Sequence, residues 1–190
     1  MGGSRGSSGG PHGATWDRVI LVDEDDREIG TEEKIAVHLD GGRLHRAISI
    51  FVFNSRDELL LQRRAETKYH FAGLWSNTCC SHPRPGESIA DVSERRLREE
   101  MGISAPMKAT RTFIYKATDR MSSLSEHELV HLVVGHTDSN PKPDAKEVDD
   151  WAWICLDELR KNLVANPSAY TPWLPIGLSL LRPGDGVASD

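Results

Sequence analysis

No stretch of the 190 residues approaches the roughly 18 consecutive apolar residues that span a bilayer. The N-terminus also lacks the apolar core of a secretory signal, so the expectation is a cytoplasmic, reducing compartment and no membrane partner. Positive charge is not in excess: 23 Lys and Arg face 29 Asp and Glu, a formal net charge of −6. This argues against nucleic acid or an anionic membrane as the main partner, because both select for surplus cations. A small anionic ligand remains compatible, since it needs only a local basic pocket. Cysteines are few, three in all, and two are neighbours, Cys79 and Cys80. Neighbouring side chains of an extended chain point apart and cannot close an unstrained disulfide. Free thiols are therefore expected rather than a disulfide framework.

What the chain does have fits one domain, long enough to bury about 70% of its unfolded-state surface. Residues 1–15 are dominated by "MGGSRGSSGGPHGA" and read as a disordered tail, a transit peptide being the other reading. Residues 16–181 form the expected domain, and 182–190 a loose tail. Within the domain, "RVILVD" (18–23), "RAISIFVF" (46–53), "ELLLQRR" (58–64), "TFIYKA" (112–117), "HELVHLVVGH" (127–136) and "DWAWICL" (150–156) read as strands. "GLWSNTCC" (73–80) reads as extended. A helix is expected over 88–102, opened by Ser88 and stopped by Gly102, with further helices over 156–166 and 171–181. The βαβ spacing of a doubly wound sheet is missing, so the fold class is α+β (mixed α/β), a mixed sheet flanked by helices. Monomer is the default state.

Several constellations could carry chemistry. In an extended segment Cys80 and His82 share one face while Cys79 looks the other way. In "SEHELVHL", Glu126 and Glu128 share a face with Val130 and Leu132. If that face is inward, two buried carboxylates need a cation; if the register is slipped, His127 and His131 point inward instead. His38 and His45 lie seven positions apart around "DGG", which permits a turn bringing both imidazoles together. With His82, Glu126 and Glu128 they would form a nitrogen and oxygen set suited to a divalent ion in five- or six-fold coordination. On the helix, Arg96 and Glu100 sit one turn apart beside the stripe of Ile89, Ser93, Leu97 and Met101. They are either an i,i+4 salt bridge or a device in which Arg grips phosphate oxygens and Glu holds Mg²⁺. Arg63, Arg64 and Lys68 supply further cations, or a charged strand edge that resists aggregation.

"GESIADVSERRLREEMGI" resembles a degraded Nudix box, whose usual pattern is G-x5-E-x7-R-E-U-x-E-E-x-G-U with U aliphatic. Glu87, Arg95, Leu97, Glu99, Glu100, Gly102 and Ile103 fit, whereas Ser81 stands at the opening Gly and Arg96 at the Glu after the Arg. A metal-binding carboxylate is thus replaced by a phosphate clamp. With "EKIAVH…RLHRA", "NTCCSHP", "FIYKATD" and "EHELVHLVVG", the chain from Trp16 to Leu181 resembles the type 1 isopentenyl-diphosphate isomerases, non-hydrolytic members of the Nudix superfamily.

The resemblance implies a Nudix-like fold and interconversion of isopentenyl and dimethylallyl diphosphate, supplying isoprenoid biosynthesis. It implies that His38, His45, His82, Glu126 and Glu128 bind one metal, which could be Mn²⁺, Zn²⁺ or Mg²⁺. Glu100 and the Cys80 carbonyl would hold Mg²⁺ on the substrate, with Lys34, Arg64, Lys68 and Arg96 gripping the diphosphate. Cys80 and Glu128 would transfer protons, Tyr115 would hydrogen-bond near Glu128, and Trp173 would line the hydrocarbon pocket. The partner is then a small isoprenoid diphosphate. The alternatives are a Nudix hydrolase of a diphosphate, which leaves Cys80 and the His/Glu set without a task, and a thiol or metal switch.

Overall fold

The computed structural model describes residues 18–182 and Asp185. The expected tail over 1–15 lies outside them, as does most of 182–190. Asp185 is an exception: its Oδ2 accepts from the Arg182 N–H at 2.7 Å and from Arg111 at 3.1 Å.

Among the described residues, nine strands and three α-helices follow one another as β1 (Arg18–Val22), β2 (Glu28–Glu33), β3 (His45–Phe53), β4 (Glu58–Arg64), β5 (Trp75–Ser76), β6 (Cys79–Ser81), α1 (Ile89–Met101), β7 (Met107–Thr118), β8 (Ser125–His136), β9 (Val148–Cys155), α2 (Leu156–Ala165) and α3 (Trp173–Leu180). The hub is β3, whose Ile48, Ile50, Phe51, Val52 and Phe53 are buried on both faces, as a central strand requires. It pairs antiparallel with β1, β4 and β6 and parallel with β8, so the sheet is mixed. β7 flanks β8 and β9 flanks β4, both antiparallel.

Alternation along β3 divides the core. Ile48, Ile50 and Val52 pack beneath α1 with Leu97 and Met101. Phe51 and Phe53 face the other way, against Leu159 of α2 and Leu174 and Leu178 of α3. A third cluster, Ala47, Phe71, Tyr115, Val130 and Trp173, forms the apolar wall of the site described below.

The ends of α1 obey local rules. The Ser88 hydroxyl accepts from the Asp91 N–H at 3.1 Å, and Gly102 ends the helix at φ 65°, its N–H bonded to Arg98 O. A Cβ at Gly102 would come within 2.3 Å of Lys142 O, so the left-handed stop also permits close packing.

Two elements differ from the sequence reading. β2 has only partly buried or exposed side chains and no apolar alternation to reveal it; its pairing with β1 makes it. "GLWSNTCC" is not one extended run but two short strands separated by Asn77 and Thr78. Both side chains are fully buried and take over backbone bonding: Asn77 Nδ2 donates to Ile50 O and Cys79 O, and Thr78 Oγ1 donates to Leu60 O.

Candidate active site

Strand register assembles the site. His45 on β3 lies opposite Glu128 on β8, and Glu128 lies opposite Tyr115 on β7. One row across three strands thus carries an imidazole, a carboxyl and a phenol. Two residues earlier on β8, Glu126 projects from the same face. The "DGG" turn brings in a second imidazole, and His82 follows β6. Asp40, Gly41 and Gly42 all have positive φ, and a Cβ on Gly42 would sit 2.6 Å from Ser125 O at the head of β8. That close approach delivers His38 to the inner face.

The Nε2 atoms of His38, His45 and His82 and a Glu126 oxygen fall within 4.8 Å of one another. At bonds of about 2.1 Å, donors on opposite sides of one ion stand about 4.2 Å apart, so the cluster is the right size for a first-row divalent ion. His38 Nδ1 lies 2.6 Å from Lys34 O and His45 Nδ1 lies 2.8 Å from Arg43 O, so each δ-hydrogen is donated to a carbonyl. This leaves Nε2 of His45 bare, whereas Nε2 of His38 donates to Glu126 Oε2 at 2.9 Å; burial is outweighed there by Glu126, which raises the His38 imidazole, and an ion at the cluster would displace that proton. Burial holds the His45 imidazole down at about 4 and that of His82 well below its ordinary value, which keeps both in the neutral, ligating form. The four donors fit a metal. Glu128 lies beside this set rather than inside it, with Oε1 2.8 Å from His82 Nε2 and 3.7 Å from His45 Nε2. The inward reading of the two carboxylates is the one realised: Glu126 and Glu128 are buried, while His127 and His131 are only partly covered.

Burial opposes the charge on both carboxylates, but their neighbours differ. Glu126 is held well below the usual carboxylate range because hydrogen bonds from His38 and His70 outweigh desolvation. Glu128 is pushed up to about 8 by burial and by the adjacent Glu126 charge. Tyr115 Oη donates to Glu128 Oε2 at 2.7 Å.

A cleft opens beside this cluster. Cys80, Glu128, Tyr115 and Trp173 line it together with Lys34, Arg64, Lys68, Arg96 and Glu100, so the sequence-derived candidates converge on one space. Cys80 Sγ donates to Asn77 Oδ1 at 3.2 Å, and burial lifts its thiol to about 11 despite a Ser49 contact. Cys79 is fully buried on the opposite face, in the cluster beneath α1. Trp173 is set by its Nε1–H, which donates to Ser76 Oγ at 3.0 Å, and the Arg64 guanidinium lies 5.6 Å from its ring. On α1, Arg96 pairs with both Glu100 and Glu147. Burial and repulsion from Lys68 and Arg96 pull the Lys34 ammonium below its usual value, a sign of how crowded with positive charge this end is.

A family profile described as the NUDIX domain matches residues 43–174. The isopentenyl-diphosphate Delta-isomerase of Halorhodospira halophila is 47% identical over 158 residues, covering 83% of this chain and 90% of that one. Isopentenyl-diphosphate Delta-isomerase 1 of Aromatoleum aromaticum is 53% identical over the same length, covering 83% and 88%. The chain belongs to the isopentenyl-diphosphate Delta-isomerase family. Among solved structures, the DR0079 protein of Deinococcus radiodurans superposes with a TM-score of 0.71 at 19% identity, covering 87% of this chain and 99% of that one. That likeness is one of fold.

In this isomerase-family member, two residues that fit the Nudix box pattern, Glu87 and Arg95, pair with one another. Arg95 donates from Nε and Nη2 to the two oxygens of Glu87 at 2.7 and 2.8 Å, tying the loop after Ser81 to α1. Two cleft residues escaped the sequence reading, Tyr69 and His70, and a third, Ser81, was read only as the position where the Nudix box has Gly. Glu147, which orders Lys68 and Arg96, escaped it too. "TKYH" lay beside the cations already singled out, and its histidine was the available signal.

Proposed function

We propose that this chain interconverts isopentenyl diphosphate and dimethylallyl diphosphate. The observation that carries the reading is one cleft holding two different proton carriers, the Cys80 thiol and the Glu128 carboxyl, beside four cations and a tryptophan.

The cations Lys34, Arg64, Lys68 and Arg96 grip the diphosphate, the only polar handle on a five-carbon alkene, and that remote binding positions the double bond. One of Cys80 and Glu128 gives a proton to C4, leaving positive charge at C3, and the other takes a proton from C2, so the double bond moves with no net change in protons. Burial lifts the thiol to about 11 and the carboxyl to about 8, so of the two the thiol keeps its proton as the acid and the carboxyl, which releases its own more readily, starts as the base. Reversibility lets each act as acid or base. The Tyr115 hydroxyl fixes the carboxyl through Oε2, and the Trp173 face offers π density to the cation while the buried walls exclude water. A divalent ion at His38, His45, His82 and Glu126, with Glu128 alongside, and Mg²⁺ at Glu100 with the Cys80 carbonyl, would supply positive charge to steady the carboxylates and the diphosphate. Mn²⁺, Zn²⁺ and Mg²⁺ are the candidates for the His/Glu site.

The test is incubation with isopentenyl diphosphate and Mg²⁺. Formation of the acid-labile allylic isomer supports the assignment. Release of inorganic phosphate or diphosphate without isomer would point to a hydrolase, and no turnover with any of the three metals would refute the reading.

A further inference from the structure

His70 is as deeply placed as the cluster ligands, 6% exposed, yet it lies outside the four-donor group. Its Nε2 bonds the Glu126 Oε1, while Glu126 Oε2 faces His38 Nε2 at 2.9 Å. A carboxylate only accepts, so the His70 proton sits on Nε2. That leaves Nδ1 a buried acceptor with no partner among the described residues. The ring therefore satisfies one nitrogen at the expense of the other, and what it satisfies is Glu126.

The main chain around it is fixed independently. Arg64 donates from Nη2 to His70 O and from Nε to Phe71 O, both at 3.0 Å, and Phe71 N donates to Asp119 Oδ2 at 3.2 Å. The segment joining β4 to β5 also carries Lys68 and Tyr69, which wall the cleft. His70 thus links a rigidly held, cation-bearing loop to one oxygen of a buried carboxylate whose other oxygen faces the donor cluster.

Resting on the metal-bearing site proposed above, we infer that His70 is a positioning residue for it. By occupying Oε1 it presents Glu126 to a divalent ion through Oε2 alone and sets the angle of the carboxylate. Its own ring is not a ligand.

The test is Mn²⁺ affinity of the metal-stripped full chain, measured by competition with a fluorescent chelator, for wild type and three variants. A glutamine amide nitrogen overlays imidazole Nε2, whereas an asparagine amide nitrogen overlays Nδ1 and falls short of Glu126. His70→Ala and His70→Asn should weaken Mn²⁺ binding by about 10- to 100-fold, the effect typical of losing an outer partner of a ligand. His70→Gln should restore most of it. Melting of the stripped proteins, recorded alongside, should separate this from a general loss of fold, because Asn and Gln variants of equal stability must still differ in affinity. Unchanged affinity in His70→Ala, or equal affinity in the Asn and Gln variants, would overturn the inference. Failure of the wild type to bind Mn²⁺, Zn²⁺ or Mg²⁺ would instead sink the metal reading and the inference with it.

Discussion

Replacing each of the twin cysteines by alanine should separate stability from catalysis. Cys79 is fully buried among Ile48, Ile50, Leu97 and Met101 on the α1 side of the sheet. Cys79→Ala deletes one sulfur there, and the lost transfer energy plus the residual void should cost about 1 kcal/mol. For a chain of this size that lowers the melting temperature by roughly 2–4 °C. Turnover should survive, because no atom of Cys79 lines the cleft. Cys80 is the reverse. It is only partly buried, its polar contacts are confined to Asn77 and Ser49, and it belongs to the wall formed with Trp173. Cys80→Ala should therefore melt within about 1 kcal/mol of wild type, the size of one modest hydrogen bond. Loss of a proton-transfer group should lower kcat on the order of 10²- to 10⁴-fold. Calorimetric melting and the isomerisation rate, measured on the same three proteins, give both coordinates. Comparable rate losses in the two variants, or a Cys80→Ala rate within about tenfold of wild type, a smaller drop than any proton-transfer group should give, would refute the division of roles.

Gly42→Ala should destabilise by about 1–3 kcal/mol, because residue 42 has φ +74° and its new methyl would meet Ser125 O at 2.6 Å. Calorimetric melting and Mn²⁺ titration should fall together, since the same turn delivers His38; normal values in both would contradict the packing. Mn²⁺ at 100 times its dissociation constant should stabilise the stripped protein by about 2.7 kcal/mol, and an unshifted melting curve would count against the cluster as a metal site. Iodoacetamide should label exposed Cys155 first. With its thiol held up at about 11, Cys80 should react about tenfold faster for each unit the pH rises from 7 toward 10, as its thiolate fraction grows, and peptide mass spectrometry that found a pH-independent rate would argue against the buried thiol.

Features written in neighbouring residues were legible in the sequence. Ser88 and Gly102 bracket α1 because a cap and a left-handed stop are local chemistry. The parity of Glu126 and Glu128 with Val130 and Leu132 raised the question that the structure answers, since a strand alternates whatever it pairs with. What stayed hidden depends on partners far along the chain. His70 meets Glu126 across 56 positions, and Glu147 meets Lys68 across 79. Parallel pairing of β3 with β8, which sets His45 against Glu128, spans a helix and four strands that carry no mark of it. The break at Asn77 and Thr78 was missed for a related reason: their side chains imitate ladder bonds to β3 and β4, which only the assembled sheet supplies.

The change from Glu to Arg at position 96 bears on why a Nudix helix accompanies so different a set of reactive groups. Positions 96 and 100 share a face of α1, so a carboxylate at both would place two adjoining oxygen ligands over the cleft. Here the partner of Glu100 is a guanidinium, and burial of Arg96 is outweighed by Glu100 and Glu147, which hold it firmly charged. The helix then offers one ligand carboxylate and one permanent cation, a surface that holds a diphosphate better than it activates water against it. In the proposed reaction the reactive groups come from the sheet instead: Cys80 from β6 and Glu128 from β8, both paired with β3, and Tyr115 from β7, paired with β8. Restoring the pattern with Arg96→Glu would put a second negative charge beside buried Glu100 and remove the clamp, so it should weaken diphosphate binding without conferring hydrolysis, because the sheet would still present a thiol and a carboxyl to the alkene.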